Sequence, residues 1–205
     1  MENREIIVIV LVLLVVGALV YFIYFRDTSD NSNYPNYEAI GISKRIIDGD
    51  TFVVKIRKVL DPHKGVKSGM EKLRLAGVDT DELKQSEAAG KREKVENMSQ
   101  AKYEETYFYK RALEAKKLLE TFVPSGTKVY LDIDDLAFGR DSYRGYYGRL
   151  IVVAYVKRED KWINVNAKLI NEEYSKMAES EYPISNKFCS EFNPYTWIDE
   201  GYIYK

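Results

Sequence analysis

Two short acidic segments and two arginines have the residue types needed for chemistry at a phosphodiester bond. Asp50 follows an Asp-Gly turn, and the run Asp79-Thr80-Asp81-Glu82 follows a strand-like segment that contains Arg74. Phosphodiester hydrolysis requires a group that takes a proton from water and cations that stabilise charge on the phosphoryl oxygens. Carboxylate and carbonyl oxygens are also the ligands that suit calcium. The sequence therefore predicts a local site for phosphoryl chemistry.

The two arginines are placed where a guanidinium group should meet an anion. Arg74 alternates with Leu73 and Leu75, and an unpaired charge inside such a strand would be costly. Arg149 follows Gly148 at the entry to an apolar strand, where its planar guanidinium group would match a phosphate. Taken alone, an Asp-Gly-Asp-Thr run is more often a turn, and such an arginine is more often a salt-bridge partner. Their joint occurrence favours a phosphate site.

Composition excludes several other chemistries. His63 is the only histidine and Cys189 the only cysteine, which argues against a Ser-His-Asp hydrolase, a two-histidine zinc protease and a nuclease with a histidine nucleophile. The chain has 31 basic and 32 acidic residues, so broad counterion release cannot drive its binding to nucleic acid. Any activity on nucleic acid must come from a local site.

The elements that position these residues are mainly strands. Hydrophobic alternation and turn signals predict five strands and two or three helices, an α+β fold of the OB type with a five-stranded β-barrel. The strands are expected at residues 42–47, 51–56, 72–78, 129–133 and 150–156, and helices near residues 108–122 and 165–170. The charged stretch between Glu82 and Thr106 is interpreted as a solvated loop or helix extension, with a lysine patch that contacts a duplex as the alternative.

The N-terminal region predicts a membrane anchor. After a flank of residues 1–5, the 20 residues from Ile6 to Phe25 carry no charge and would span roughly 30 Å as a helix. A cleaved signal peptide is the alternative, but this segment is longer than usual and ends in aromatic residues without a small-residue cleavage site. Residues 26–41 form a polar linker. We expect a single-pass protein bound to the lipid bilayer through residues 6–25, with its domain outside the cytoplasm.

Three motifs resemble the staphylococcal nuclease (thermonuclease) family. They are Ile47-Asp48-Gly49-Asp50-Thr51, then Leu73-Arg74-Leu75-Ala76-Gly77-Val78-Asp79-Thr80-Asp81-Glu82, and finally Tyr147-Gly148-Arg149-Leu150. The resemblance covers about residues 42–182 and leaves residues 183–205 as a C-terminal extension. It implies a membrane-anchored, calcium-dependent nuclease on an OB-fold barrel.

The same resemblance implies how the acidic residues are used. Calcium (Ca2+) would be bound by Asp50, Asp79 and the backbone carbonyl of Thr80. Glu82 is implied as the general base for the attacking water. Asp81 stands where the family usually has proline, so we expect a less rigid loop at Glu82 with an extra negative charge.

The resemblance also implies the phosphate and base contacts. Arg74 and Arg149 would clamp the scissile phosphate, and Tyr147 would hydrogen-bond a terminal phosphate. The family's base-stacking aromatic residues are missing beyond the last helix, so Tyr146 and Tyr182 are the candidate replacements. DNA and RNA substrates, single-stranded or denatured by preference, and products with 3'-phosphate ends are implied.

Two other functions compete with the nuclease interpretation. The same barrel could be a catalytically inactive module that binds nucleic acid or protein at the membrane, since a fold does not dictate a function. A decayed copy should have lost at least one of the two arginines, the two metal-binding aspartates or the general base. Here all five of these residues are in place. A structural membrane protein whose acidic loops merely bind calcium would not need Arg74 and Arg149.

Overall fold

The computed structural model describes residues 35–62, 65–136, 143–145, 147–176 and 191–198. The predicted membrane anchor at residues 6–25, and the candidate residues Tyr146 and Tyr182, lie outside these ranges. Among the described helices, none has both the length and the hydropathy that a membrane span requires.

The described elements are six strands and four α-helices. The strands are β1 (Ala39–Ile46), β2 (Thr51–Val59), β3 (Gly69–Leu75), β4 (Lys128–Ile133), β5 (Leu150–Arg158) and β6 (Lys161–Asn164). The helices are α1 (Gln85–Ala89), α2 (Gln100–Glu104), α3 (Tyr107–Phe122) and α4 (Val165–Lys176). Short 3-10 turns lie at Glu93–Val95 and Pro194–Trp197.

Five strands close into a barrel. β1 pairs antiparallel with β2 and β4, β2 with β3, and β4 with β5. The parallel pairing of β3 with β5 completes the ring, which gives an α+β, OB-like barrel and confirms the predicted fold class at this level. β6 was not predicted from the sequence. It adds to β5 outside the ring after a tight turn in which Glu159 and Asp160 both have positive φ.

The barrel interior is filled by alternating apolar side chains. Phe52, Val54 and Ile56 are fully buried along β2, as Leu73 and Leu75 are along β3. Period-two alternation is the pattern expected of strands with one buried face, and it is the reason these segments were recognisable in the sequence. The predicted helix near residues 108–122 is confirmed as α3, which buries Ala112, Ala115 and Leu119.

A buried asparagine joins α4 to the strands that carry the site. Asn166 Oδ1 accepts a hydrogen bond from the Ala154 amide at 3.0 Å. Its Nδ2 donates to the carbonyls of Ala76 at 2.8 Å and Val152 at 3.0 Å. Buried backbone groups need partners of this kind. Asn166 therefore fixes the end of β3 beside β5, where the barrel closes.

The charged stretch between Glu82 and Thr106, interpreted from the sequence as a solvated loop or helix extension, contains short helices. It contains α1, a 3-10 turn and α2, and we call residues 85–104 the helical insert. Ala88, Val95 and Tyr103 are buried together inside it. Gln85 Nε2 donates to the Val95 carbonyl at 2.6 Å, which ties the first helix of the insert to its 3-10 turn.

Candidate active site

Strand pairing brings the predicted site residues to one place on the barrel. Arg74 on β3 lies opposite Thr51 of β2, which follows Asp50 directly. On its other side, Arg74 lies beside Ile151 of β5, two residues after Arg149. β3 therefore carries the central arginine, with Asp50 and Arg149 each directly before the first residue of a neighbouring strand.

The Asp48-Gly49 turn packs tightly against α3 and the loop after β3. The Ile47 amide donates to the Thr51 carbonyl at 2.9 Å, which closes the predicted hairpin between β1 and β2. A Cβ atom at Gly49 would lie 2.6 Å from Cβ of Ala115 and 2.8 Å from Cγ2 of Thr80. Only glycine fits this approach. The turn thus holds Asp50 against the Thr80 loop.

Arg74 joins the two carboxylates that were predicted to bind calcium. Its Nη1 forms an ion pair with Asp50 Oδ2, and its Nη2 donates to Asp79 Oδ1 at 2.9 Å. Arg74 is only 5% exposed, and this burial lowers its pKa while Asp79 acts in the opposite direction. The guanidinium group therefore faces anions, as the sequence indicated.

A threonine that the sequence analysis missed connects Arg149 to this cluster. Thr51 Oγ1 donates to Asp50 Oδ1 at 2.9 Å and accepts from Arg149 Nη1 at 3.0 Å. Asp50 Oδ2 also accepts from the Thr80 amide at 2.9 Å and from Thr80 Oγ1 at 3.2 Å. Nothing in the sequence pointed specifically to this role of Thr51. It follows Asp50 at the start of a strand, and β-branched residues are common in strands.

A lysine of the helical insert also contacts the acidic loop. Lys91 Nζ donates to Asp79 Oδ1 at 2.8 Å and to the Thr80 carbonyl at 3.3 Å, and it lies 2.8 Å from Glu82 Oε1. Burial alone lowers the pKa of Lys91, but Asp79 and Glu82 outweigh it, so that the pKa is raised. The lysine is therefore a partly exposed cation that contacts the acidic loop at the edge of the site.

Asp81 ties the loop to two neighbouring arginines instead of leaving it loose. Its Oδ1 accepts from Arg92 Nε at 3.2 Å and Nη2 at 2.8 Å. Its Oδ2 lies 3.2 Å from Arg111 Nε on α3, a contact close enough for an ion pair but not oriented as a hydrogen bond. The expected loss of rigidity at this position is therefore offset by ionic contacts.

Tyr103 fixes the backbone that presents Glu82. Its hydroxyl donates to the Glu82 carbonyl at 2.6 Å. Burial raises the pKa of Tyr103 to about 12, with smaller contributions from Asp81 and Glu82. The hydroxyl thus stays protonated, and remains a donor, throughout the neutral range.

Tyr147 lies beside Arg149 on the outside of the cluster. Its side chain is 77% exposed, and Arg149 Cζ is 5.3 Å from the ring centroid. A ring at this distance from a guanidinium group is within the range of a cation–π contact. The other two candidate tyrosines, at positions 146 and 182, lie outside the described residues.

The oxygen donors predicted for calcium are gathered here, and their chemistry fits the ion. Asp50 Oδ2 is bonded to the Thr80 amide, while Asp79 Oδ1 and the Thr80 carbonyl share the Lys91 ammonium group. Two carboxylates and a carbonyl are hard ligands of the kind that calcium prefers. Within the described part of the chain, no group of three or more His, Cys, Asp or Glu residues is arranged around a common point.

Comparison with known proteins does not identify the chain. No protein-family model matches it, and no curated protein matches it in sequence.

Proposed function

We propose that this protein is a calcium-dependent nuclease of the staphylococcal nuclease type that hydrolyses phosphodiester bonds of DNA and RNA and leaves 3'-phosphate ends. Residues 6–25 would anchor it in a membrane with the domain outside the cytoplasm. The observation that carries the proposal is a pair of unsatisfied donors: Nε of Arg74 and Nε of Arg149 are both buried without a hydrogen-bond partner.

Buried donors without partners are rare in folded proteins and call for an explanation. Here the two donors belong to Arg74 on β3 and to Arg149 just before the neighbouring β5, beside a cluster of carboxylates. Guanidinium groups bind phosphate through paired N–H donors. A phosphodiester placed at this edge of the barrel would supply acceptors to both arginines, and the arginines would stabilise the charge that grows in the transition state.

Glu82 is the group best placed to accept a proton from the attacking water. It is half-buried, one residue beyond the buried Asp81, and its backbone is held by Tyr103. General-base catalysis needs a carboxylate fixed within reach of the water. Asp50, Asp79 and the Thr80 carbonyl would hold calcium, which would supply a positive charge beside the phosphate and an orienting point for water.

The first experiment is digestion of denatured DNA and of RNA by the full chain, with millimolar calcium or with a chelator. We expect cleavage only with calcium, and products with 3'-phosphate ends. Glu82→Gln, prepared in the same way, should be severely impaired, which excludes a contaminating nuclease. Failure to cut at any pH from neutral to alkaline would overturn the proposal, and binding without cleavage would favour an inactive binding module.

A further inference from the structure

The ammonium group of Lys91 lies against two of the three candidate calcium ligands. It contacts Asp79 Oδ1, the Thr80 carbonyl and Glu82 Oε1. The first two are members of the predicted calcium-binding set, and the third belongs to the proposed general base. A lysine ammonium group has three N–H donors, and three acceptors surround it here.

Lys91 is held in place by the segment around it. Its own amide donates to the Ala88 carbonyl at 2.9 Å, at the end of α1. The next residue, Arg92, is bonded through two nitrogens to the buried Asp81. Ala88 itself packs in the apolar cluster of the helical insert. The backbone on both sides of Lys91 is therefore anchored, and its side chain is aimed at the acidic loop.

The charges of the site leave room for a stronger cation than lysine. The connected ion pairs join three carboxylates, Asp50, Asp79 and Glu82, to two cationic side chains, Arg74 and Lys91. Among these five side chains, the carboxylates outnumber the cations by one. Calcium carries twice the charge of an ammonium group and accepts six to eight oxygen ligands. It would therefore neutralise the network more completely than Lys91 does.

We propose that Lys91 competes with calcium for Asp79 and the Thr80 carbonyl. This competition sets the calcium concentration that the site needs. This inference rests on the proposed nuclease function and deepens it. A divalent ion can enter only when Lys91 withdraws, since both cations use the same oxygens. Withdrawal also separates Lys91 from Glu82, so ion binding releases the carboxylate that acts as base. The lysine thus keeps the site neutralised and closed until enough calcium is present.

The direct test is calorimetric titration of calcium into the full chain. Lys91→Met keeps the apolar stem and removes the charge, so it should bind calcium at least about fivefold more tightly, the low end of ordinary coupling between two competing ligands. Lys84→Met is the matched control because Lys84 is exposed and pairs with Glu87 at the start of α1. Its calcium affinity should equal that of the wild type.

A second measurement needs no substitution in the site. Lysine-specific acylation followed by mass spectrometry should show that Lys91 reacts faster when calcium is added to the wild-type chain, while the reaction rate of Lys84 is unchanged.

Equal or weaker calcium binding by Lys91→Met, or labelling of Lys91 that calcium does not change, would overturn the inference. If calcium-dependent cleavage is nevertheless seen, only the role of Lys91 fails. If neither binding nor cleavage is seen, the nuclease proposal fails as well.

Discussion

At the scale of single residues, the two arginines differ in how far the fold depends on them. Arg74 is enclosed and bridges Asp50 and Asp79, so its removal would leave the buried Asp50 without its counter-ion, while Asp79 would keep its contact with Lys91. Arg149 has a hydrogen bond to Thr51 and a contact with the exposed ring of Tyr147. Arg149 is therefore the cleaner probe of catalysis, because its loss disturbs fewer buried charges.

We expect Arg149→Ala to lower kcat by a factor of about 100 to 1,000, the usual effect of removing one donor from a charge-stabilising set. Arg158→Ala is the control, since Arg158 lies at the far end of β5 and donates to the carbonyls of Thr121 and Phe122. It should keep nearly full activity. Steady-state kinetics on denatured DNA, with thermal melts of both variants, give the measurement. A loss smaller than tenfold for Arg149→Ala would assign the arginine another role.

The sequence indicated which residues would form the site, but not which other side chains would contact them. Asp50, Arg74 and Asp79 were recognisable because each belongs to a short segment with a strand or turn pattern of its own. Thr51 and Lys91 were not, since their roles depend on contacts made across strands or from a distant loop. Spacing along the chain carries no information about such contacts until the barrel has closed.

At the scale of elements, the helical insert shows why the structure of a charged stretch is hard to predict from its sequence. Only Ala88, Val95 and Tyr103 are buried there, too few and too widely spaced to produce a helical period. The charged residues of the insert face solvent or the acidic loop. What orders the insert is one small apolar cluster together with the ionic contacts of Lys91 and Arg92.

We expect Asp81→Ala to lower the free energy of unfolding by about 3 kcal/mol, because Arg92 and Arg111 would both lose a buried carboxylate partner. Glu87→Ala provides the comparison, since Glu87 pairs with Lys84 on the exposed surface and such pairs contribute about 0–1 kcal/mol. Urea denaturation of both variants measures the difference. Similar stabilities for the two variants would show that Asp81 does not hold the insert to the barrel.

At the scale of the whole molecule, barrel closure turns separate motifs into one site. The five strands could be predicted from their alternating patterns, and their number and order favoured an OB-type barrel. The closing register of Leu73 with Leu150 and of Leu75 with Val152 could not, because it is decided by packing across the finished ring. That register pairs Arg74 with Ile151 and so places Arg149, two residues earlier in the chain, on the same side of the barrel closure as Arg74.

The free energy of unfolding of the whole domain should also fall at alkaline pH, in the range where two of its tyrosines ionise. Burial raises the pKa of Tyr155 to about 12, with a smaller contribution from Asp132, and the pKa of Tyr103 is raised to about 12 as well. A tyrosine in the unfolded chain ionises near pH 10. The unfolded state therefore releases these protons first, and release favours unfolding as the pH rises.

The stabilising effect of these two tyrosines is complete below about pH 10, falls as the pH approaches 12, and changes little above it. We expect the urea midpoint of the full chain to decline across this window. Tyr103→Phe and Tyr155→Phe should each make the decline shallower, and the double variant shallower still, because phenylalanine has no proton to release. Other groups also titrate in this pH range, so the comparison between variants is decisive. If the urea midpoint falls equally with pH in all four proteins, both hydroxyls ionise as readily in the folded chain as in the unfolded one.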